Sequence, residues 1–201
     1  MVIARTPLRK RLNNLYWEYR LGISTRGIIE IDHPDAHHYA TMLYSTIQQV
    51  IAFLALDPSD VFIDIGSGKG RVLCCAARLK VRKVIGVDLS EDLCSYARRN
   101  VARMRERKST VEVHQGMAEH FDYSNGTVFT LFNPFGAVTL DNVLRKIAAD
   151  LGPNKSRIRI AYANPEHDHV FRSHPWLERY EYWDRKSLRM EHSVSFYKAR
   201  L

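Results

Sequence analysis

The chain has 201 residues, of which 45% are hydrophobic and 26% charged, and a formal net charge of +8. That length suits one domain with a sizeable core, and no stretch approaches the roughly 20 apolar residues of a membrane span. Cys74, Cys75 and Cys94 form no C-x-x-C pair, so neither a zinc site nor a disulfide framework is signalled. The segment Met1–Pro7 lacks the apolar run of a signal peptide. Together these features predict a cytoplasmic protein in a reducing compartment, with no membrane partner.

The first 57 residues read as a helical lead-in. Leu8, Leu12, Leu15, Tyr16 and Tyr19 recur at helical spacing until Gly22 stops the run. Ser24–Asp35 is irregular and polar, and a second helix is predicted from His37 to Ala55, ending before Asp57-Pro58. After residue 57 strands and helices alternate. Strands are predicted near 60–65, 83–88, 110–115, 127–132 and 157–163, with helices near 69–80, 91–107 and 138–150. That alternation demands a parallel sheet with helices on both faces. Leu177–Trp183 and Ser193–Ala199 read instead as an antiparallel hairpin closing one sheet edge, turning around Arg185-Lys186-Ser187. The fold class is therefore α/β, a Rossmann-like three-layer sandwich. Its sheet is mostly parallel, with an antiparallel C-terminal hairpin and a helical N-terminal cap.

The run from Val61 to Arg71 carries the chemistry. A buried strand ends in Asp64 and breaks into Gly66-Ser67-Gly68-Lys69-Gly70. Glycines there admit positive φ and let backbone approach a ligand. A nicotinamide fold would show G-x-G-x-x-G with pyrophosphate on the helix N-terminus, whereas position 71 is Arg. The phosphate P-loop run G-x-x-x-x-G-K-[ST] is absent. A carboxylate at Asp64 repels an anion and attracts an ammonium or sulfonium. The second strand ends in Asp88, where a carboxylate can accept both hydroxyls of an unphosphorylated ribose. A nucleoside with a cationic amino-acid tail fits, and S-adenosyl-L-methionine is such a ligand.

The segment Asp60–Gly136 resembles the class I, seven-stranded S-adenosylmethionine-dependent methyltransferases. Val61–Gly70 resembles their D-x-G-x-G-x-G motif, and Val84–Leu89 their ribose-binding strand end. Val113–Ala118 and Thr130–Gly136 resemble the third and fourth motifs. The resemblance implies that Asp64, Gly66, Ser67, Gly68 and Gly70 hold the methionine end of the cofactor. Asp88 and Leu89 would hold the ribose and flank the adenine, Gly116, Met117 and Ala118 would close over its edge, and Asn133 would also contact the cofactor. Where the family carries an acid after the third-motif glycine, this chain has Met117, leaving adenine recognition to backbone groups or Glu119. S-adenosyl-L-homocysteine would be the product. Residues 1–57 would form the cap and 58–201 the methyltransferase domain. The cap would cover the cofactor pocket and shape the acceptor site.

Methyl transfer from a sulfonium is an in-line displacement that needs an aligned lone pair and no general acid. Asn133 and the Pro134 carbonyl stand at the end of the fourth strand. Asn133-Pro134-Phe135 partly resembles the N/D-P-P-Y/F motif of amino-methyltransferases, departing at the second proline and at the aromatic. It is also similar to the N-x-F…G segment of non-SET histone-lysine methyltransferases, through Asn133, Phe135 and Gly136. Tyr39, 25 positions before Asp64, matches that group's cofactor-contacting tyrosine, although the Gly-Glu that follows there is Ala40-Thr41 here. Asn133, Phe135 and Tyr39 are thus the expected catalytic residues. The methyl acceptor stays open between a protein lysine, a nucleic-acid base and a small metabolite.

His33, His37 and His38 cluster in the lead-in without a supporting Cys or second ligand pair, so they are read as loop histidines and no metal is expected. Residues 1–30 hold six basic against two acidic residues, and Arg99, Arg103 and Arg107 recur at i, i+4, i+8. Such a face is either solvated or contacts an anionic partner. The competing class is therefore a module that retains S-adenosylmethionine as a ligand and binds RNA through its basic faces without turnover.

Overall fold

The computed structural model describes residues 8–27, 41–152, 154–188 and 190–200. Seven strands form one sheet: β1 (Val61–Ile65), β2 (Lys83–Asp88), β3 (Val111–Gln115), β4 (Val128–Phe132), β5 (Arg159–Ala163), β6 (Leu177–Trp183) and β7 (Val194–Ala199). Their order is β3-β2-β1-β4-β5-β7-β6. The first five run parallel, and β7 inserts antiparallel between β5 and β6. The order reverses between β1 and β4, the switch point where open α/β sheets place their ligands.

β1 and β4 are near-continuous apolar runs because both of their faces are covered. Phe62 packs on one side with α2 (Tyr44–Leu54) and α3 (Arg71–Ala76), joined by Leu21 from the end of α1 (Leu8–Leu21). Val61, Ile63 and Ile65 pack on the other with α5 (Ala137–Leu151) and the short α6 (Asp168–Phe171). α4 (Glu91–Arg103) opens on Ser90, whose hydroxyl accepts the Leu93 N–H at 3.3 Å. Glu91 and Asp92 in its first turn complement the helix dipole.

The α/β class, the parallel sheet and the closing hairpin agree with the sequence reading; several boundaries do not. The helix expected over 69–80 spans only Arg71–Ala76, because the left-handed backbone persists through its cap at Gly70 (φ +78°). The helix expected over 91–107 ends at Arg103. Met104 is extended, Glu106 takes φ +61°, and the Arg105 N–H donates to the Leu21 carbonyl at 2.8 Å. A tertiary contact with α1 thus stops the helix, and Arg107 leaves the helical face predicted for it. The helix expected from His37 starts at Tyr44 after an extended Leu43, and residues 37–40 lie outside the described part. β5 begins at Arg159, since Asn154–Arg157 forms a 3-10 turn. α6 is too short to leave a periodic signal.

Candidate active site

The turn after β1 bends back over the end of β2. The Gly66 and Ser67 N–H groups both donate to the Val87 carbonyl, at 2.8 and 3.0 Å. Gly66, Gly68 and Gly70 all take positive φ, so three residues of the turn occupy a region that costs an L side chain roughly 1–2 kcal/mol. The same turn meets the β4 loop, where a Cβ on Gly66 would strike Pro134. Gly86 in β2 admits the turn from below: a Cβ there would lie 2.7 Å from Ser67 Oγ and 2.5 Å from Leu73.

Two buried carboxylates stand at this turn. Asp64 is 4% exposed and its Oδ1 accepts from Thr130 Oγ1 at 2.6 Å, across the β1–β4 register. Burial pushes its carboxyl up to about 8, against the lowering effect of the Thr130 hydroxyl and with a smaller upward push from Asp88. Asp88 accepts the Gly68 N–H at 2.8 Å on Oδ2 and the Ser90 N–H at 3.0 Å on Oδ1. Burial raises its pKa, and those backbone donors oppose the rise. Ser67 Oγ is buried without a hydrogen-bond partner and lies against Gly86 beneath the turn. Gly116 caps β3 with its N–H on the Asp88 carbonyl at 2.9 Å, and a Cβ on it would meet nothing within 4 Å. Leu89 is half-buried, Met117 is exposed, and Ala118 opens a 3-10 turn.

The sheet brings Asp64, Gly66, Ser67, Gly68, Gly70 and Asp88 together at the carboxyl ends of β1 and β2. Asn133 follows β4 in the left-handed region (φ +41°) and is buried. Its Oδ1 accepts from the Tyr162 hydroxyl at 2.7 Å, and that hydroxyl accepts the His167 N–H at 3.3 Å. Replacing Tyr162 by Phe removes both bonds at a buried site. A loss of about 1–3 kcal/mol in stability is expected, read from urea unfolding. Phe135 is 9% exposed and packs in the core cluster beneath α5. Tyr39, His33, His37 and His38 lie outside the described residues.

Several residues at the site left little trace in the sequence. Thr130 is a lone hydroxyl in an apolar strand, legible only once β4 is paired with β1. Asn100 on α4 reaches the Lys69 carbonyl of the glycine turn, and Glu18 on α1 reaches Arg71 just after it. Arg99 lies over the exposed Tyr96 ring at 4.4 Å, and Arg103 donates to Asn100 Oδ1 at 2.6 Å. Among the described residues neither forms an ion pair with a carboxylate. His174, read as structural, is buried against Asp141 at 2.8 Å. Cys74, Cys75 and Cys94 are buried free thiols, the last two pushed up to about 12 by burial. Among the described residues no three metal-ligating side chains cluster, and no helix is long and apolar enough to cross a membrane.

Comparison with known proteins decides the fold family. A solved structure described as an RNA methyltransferase from Salinibacter ruber in complex with S-adenosyl-L-homocysteine matches with TM-score 0.60 at 21% identity. The match covers 80% of this chain and 94% of that one. The chain has the fold of the class I S-adenosylmethionine-dependent methyltransferases. A methyltransferase from Thiobacillus denitrificans, also solved with S-adenosyl-L-homocysteine, matches at TM-score 0.59 and 16% identity over 98% of this chain and 100% of that one. Residues 34–127 match the family described as "Histone methylation protein DOT1". Over 72 residues the chain is 33% identical to a Caenorhabditis elegans protein named histone-lysine N-methyltransferase, H3 lysine-79 specific. That segment is 35% of this chain and spans only 8% of the length of its relative.

Proposed function

We propose that the protein transfers a methyl group from S-adenosyl-L-methionine to a nitrogen or oxygen acceptor by direct in-line displacement. The observation that carries this reading is the pair of buried carboxylates, Asp64 and Asp88, at the ends of adjacent parallel strands around a left-handed glycine turn. The residues fit the cofactor. The open space at Gly116 and the left-handed glycine turn leave room for a nucleoside. An Asp64 carboxyl raised by burial is one that a cation would favour in its ionised form. When bound, the cofactor supplies an electrophilic methyl group on a sulfonium.

In this reading Asp64, Gly66, Ser67, Gly68 and Gly70 hold the methionine end, and Asp88 and Leu89 the ribose and one flank of the adenine. Gly116, Met117 and Ala118 lie along the adenine edge. Asn133 and Phe135 are assigned to the acceptor side, and Tyr39, within the N-terminal cap of residues 1–57, is the third residue assigned to it. Tyr162 holds the Asn133 amide in one orientation, so an acceptor lone pair would meet a fixed surface. Asp88→Ala should weaken S-adenosylhomocysteine binding by about 1–3 kcal/mol in calorimetric titration, the scale of lost charge-assisted hydrogen bonds. Unchanged affinity would remove the ribose assignment.

The DOT1 likeness favours a protein lysine as the first acceptor to try, ahead of a nucleic-acid base or a small metabolite. The Arg99–Arg103 face suits an anionic partner that presents the acceptor. Three free buried thiols suit a reducing compartment such as the cytoplasm. The relatives described above are named as methyltransferases, which leaves RNA binding without turnover unsupported. The experiment is radiolabelled S-adenosylmethionine incubated with the protein and a cell extract, then separated into protein, nucleic-acid and small-molecule fractions. Label in one fraction that disappears with Asp88→Ala is the expected result. Cofactor binding without label anywhere would count against turnover on any acceptor in that extract.

A further inference from the structure

The two side chains that interrupt and follow the glycines, Lys69 and Arg71, turn away from the turn they belong to. Both are almost completely buried, at 4% and 3% exposure. Lys69 Nζ donates to the Arg26 and Gly27 carbonyls at 2.6 and 3.1 Å. Arg71 donates through Nε to Thr25 Oγ1 at 2.7 Å and through its guanidinium to the Met42 carbonyl at 2.8 Å, stacked 4.5 Å over the Tyr44 ring. Asn100 completes the clamp. Its Nδ2 donates to the Ser24 and Lys69 carbonyls at 2.9 and 2.8 Å, so one amide holds both the N-terminal segment and the glycine turn.

At the centre lies Glu18, 4% exposed on α1. Its Oε1 accepts from the Thr25 N–H and hydroxyl at 3.0 and 2.8 Å and from Arg71 at 3.5 Å. Its Oε2 accepts from Arg26 at 2.7 Å. A buried ion pair seldom adds net stability over apolar residues of the same volume, and its attested use is to specify one arrangement. Here the arrangement specified is residues 23–27 seated against the turn that carries Gly66, Gly68 and Gly70.

We propose that Glu18 is a positioning residue for the cofactor turn. It contacts none of the residues assigned to the cofactor and acts through Thr25 and Arg71 on the turn and the start of α3. This inference rests on the cofactor-binding reading above. If the seated segment favours the turn geometry that binds cofactor, bound cofactor must in return favour the seated segment, by linkage.

Glu18→Gln keeps an acceptor oxygen for Thr25 and removes the charge facing Arg71 and Arg26. At a low temperature where circular dichroism shows the variant fully folded, its Kd for S-adenosylhomocysteine should rise roughly tenfold, within the usual range of coupling between sites. In the wild-type chain, saturating S-adenosylhomocysteine should slow amide exchange at Ser24 and Thr25. A variant with a lower Tm but wild-type Kd would overturn the proposal, leaving Glu18 a structural residue only. If Glu18→Gln does not fold, the wild-type exchange measurement decides, and unchanged protection at Ser24 and Thr25 sinks the proposal. Absence of binding by the wild-type chain would instead overturn the cofactor reading, and this inference with it.

Discussion

Asp64→Asn should make the unliganded protein more stable above pH 7 while removing most of its cofactor affinity. The two effects have one cause. The Asp64 carboxyl is buried and pushed up to about 8, far above the ordinary value near 3.9 for an aspartate in an unfolded chain. Between those two values the folded protein holds a proton that the unfolded chain has released. Stability is therefore fully present below about pH 4 and falls as pH rises toward 8, by up to about 1.4 kcal/mol per unit. Asparagine carries no such proton and still offers an oxygen to the Thr130 hydroxyl, so the stability advantage of the variant should widen across that window. Urea unfolding from pH 5 to 9 measures it. Parallel curves for the two proteins would show that Asp64 ionises freely where it stands.

Binding should move the other way. A cationic ligand favours the ionised carboxylate and lowers its pKa, so wild-type affinity for S-adenosylmethionine should climb as pH rises toward 8 and then level. The Asp64→Asn protein should bind weakly, and Asp64 should drop out of its pH profile. Titration calorimetry at several pH values separates the two. An affinity in the variant equal to that of the wild type would remove Asp64 from the site.

Gly66→Ala should both destabilise the fold and abolish measurable cofactor binding. The residue sits at φ +74°, which alone costs an alanine roughly 1–2 kcal/mol. The added Cβ would also strike Pro134, so the turn after β1 or the loop after β4 must move. Overpacking of that kind typically adds about 1–3 kcal/mol. Because Asn133 precedes Pro134, a shift there displaces the residue proposed to face the acceptor as well as the turn proposed to hold the cofactor. Urea unfolding with parallel titration of S-adenosylhomocysteine checks both effects. Wild-type stability together with wild-type affinity would show that the turn tolerates a different geometry.

Much of the architecture was legible because it is written locally. Apolar runs ending in Asp64 and Asp88, and glycines at alternate positions, specify a strand, a tight turn and a second strand that ends in a carboxylate. The alternation of strands and helices then leaves a parallel sheet as the consistent solution. Boundaries failed where a distant contact overrode periodicity. The helix bearing Arg99 and Arg103 stops short of Arg107 because the Arg105 N–H is claimed by the Leu21 carbonyl, 84 positions earlier in the chain. Periodicity carries no information about such a bond.

The same division runs through the candidate site. Residue types and spacing determined that a carboxylate stands before a glycine turn, that a second carboxylate ends the next strand, and that Asn133 follows the fourth. These are properties of the chain over a few residues, where φ preference and strand alternation act. Only the tertiary structure decided what each group faces. Thr130 comes opposite Asp64 through the β1–β4 register, Tyr162 reaches Asn133 from β5, and Glu18 reaches Arg71 across 53 positions. Those pairings temper the burial-driven rise of the Asp64 pKa, orient the Asn133 amide and hold the segment beside the glycine turn. Each depends on burial and on partners brought together by packing, which no local stretch of sequence encodes.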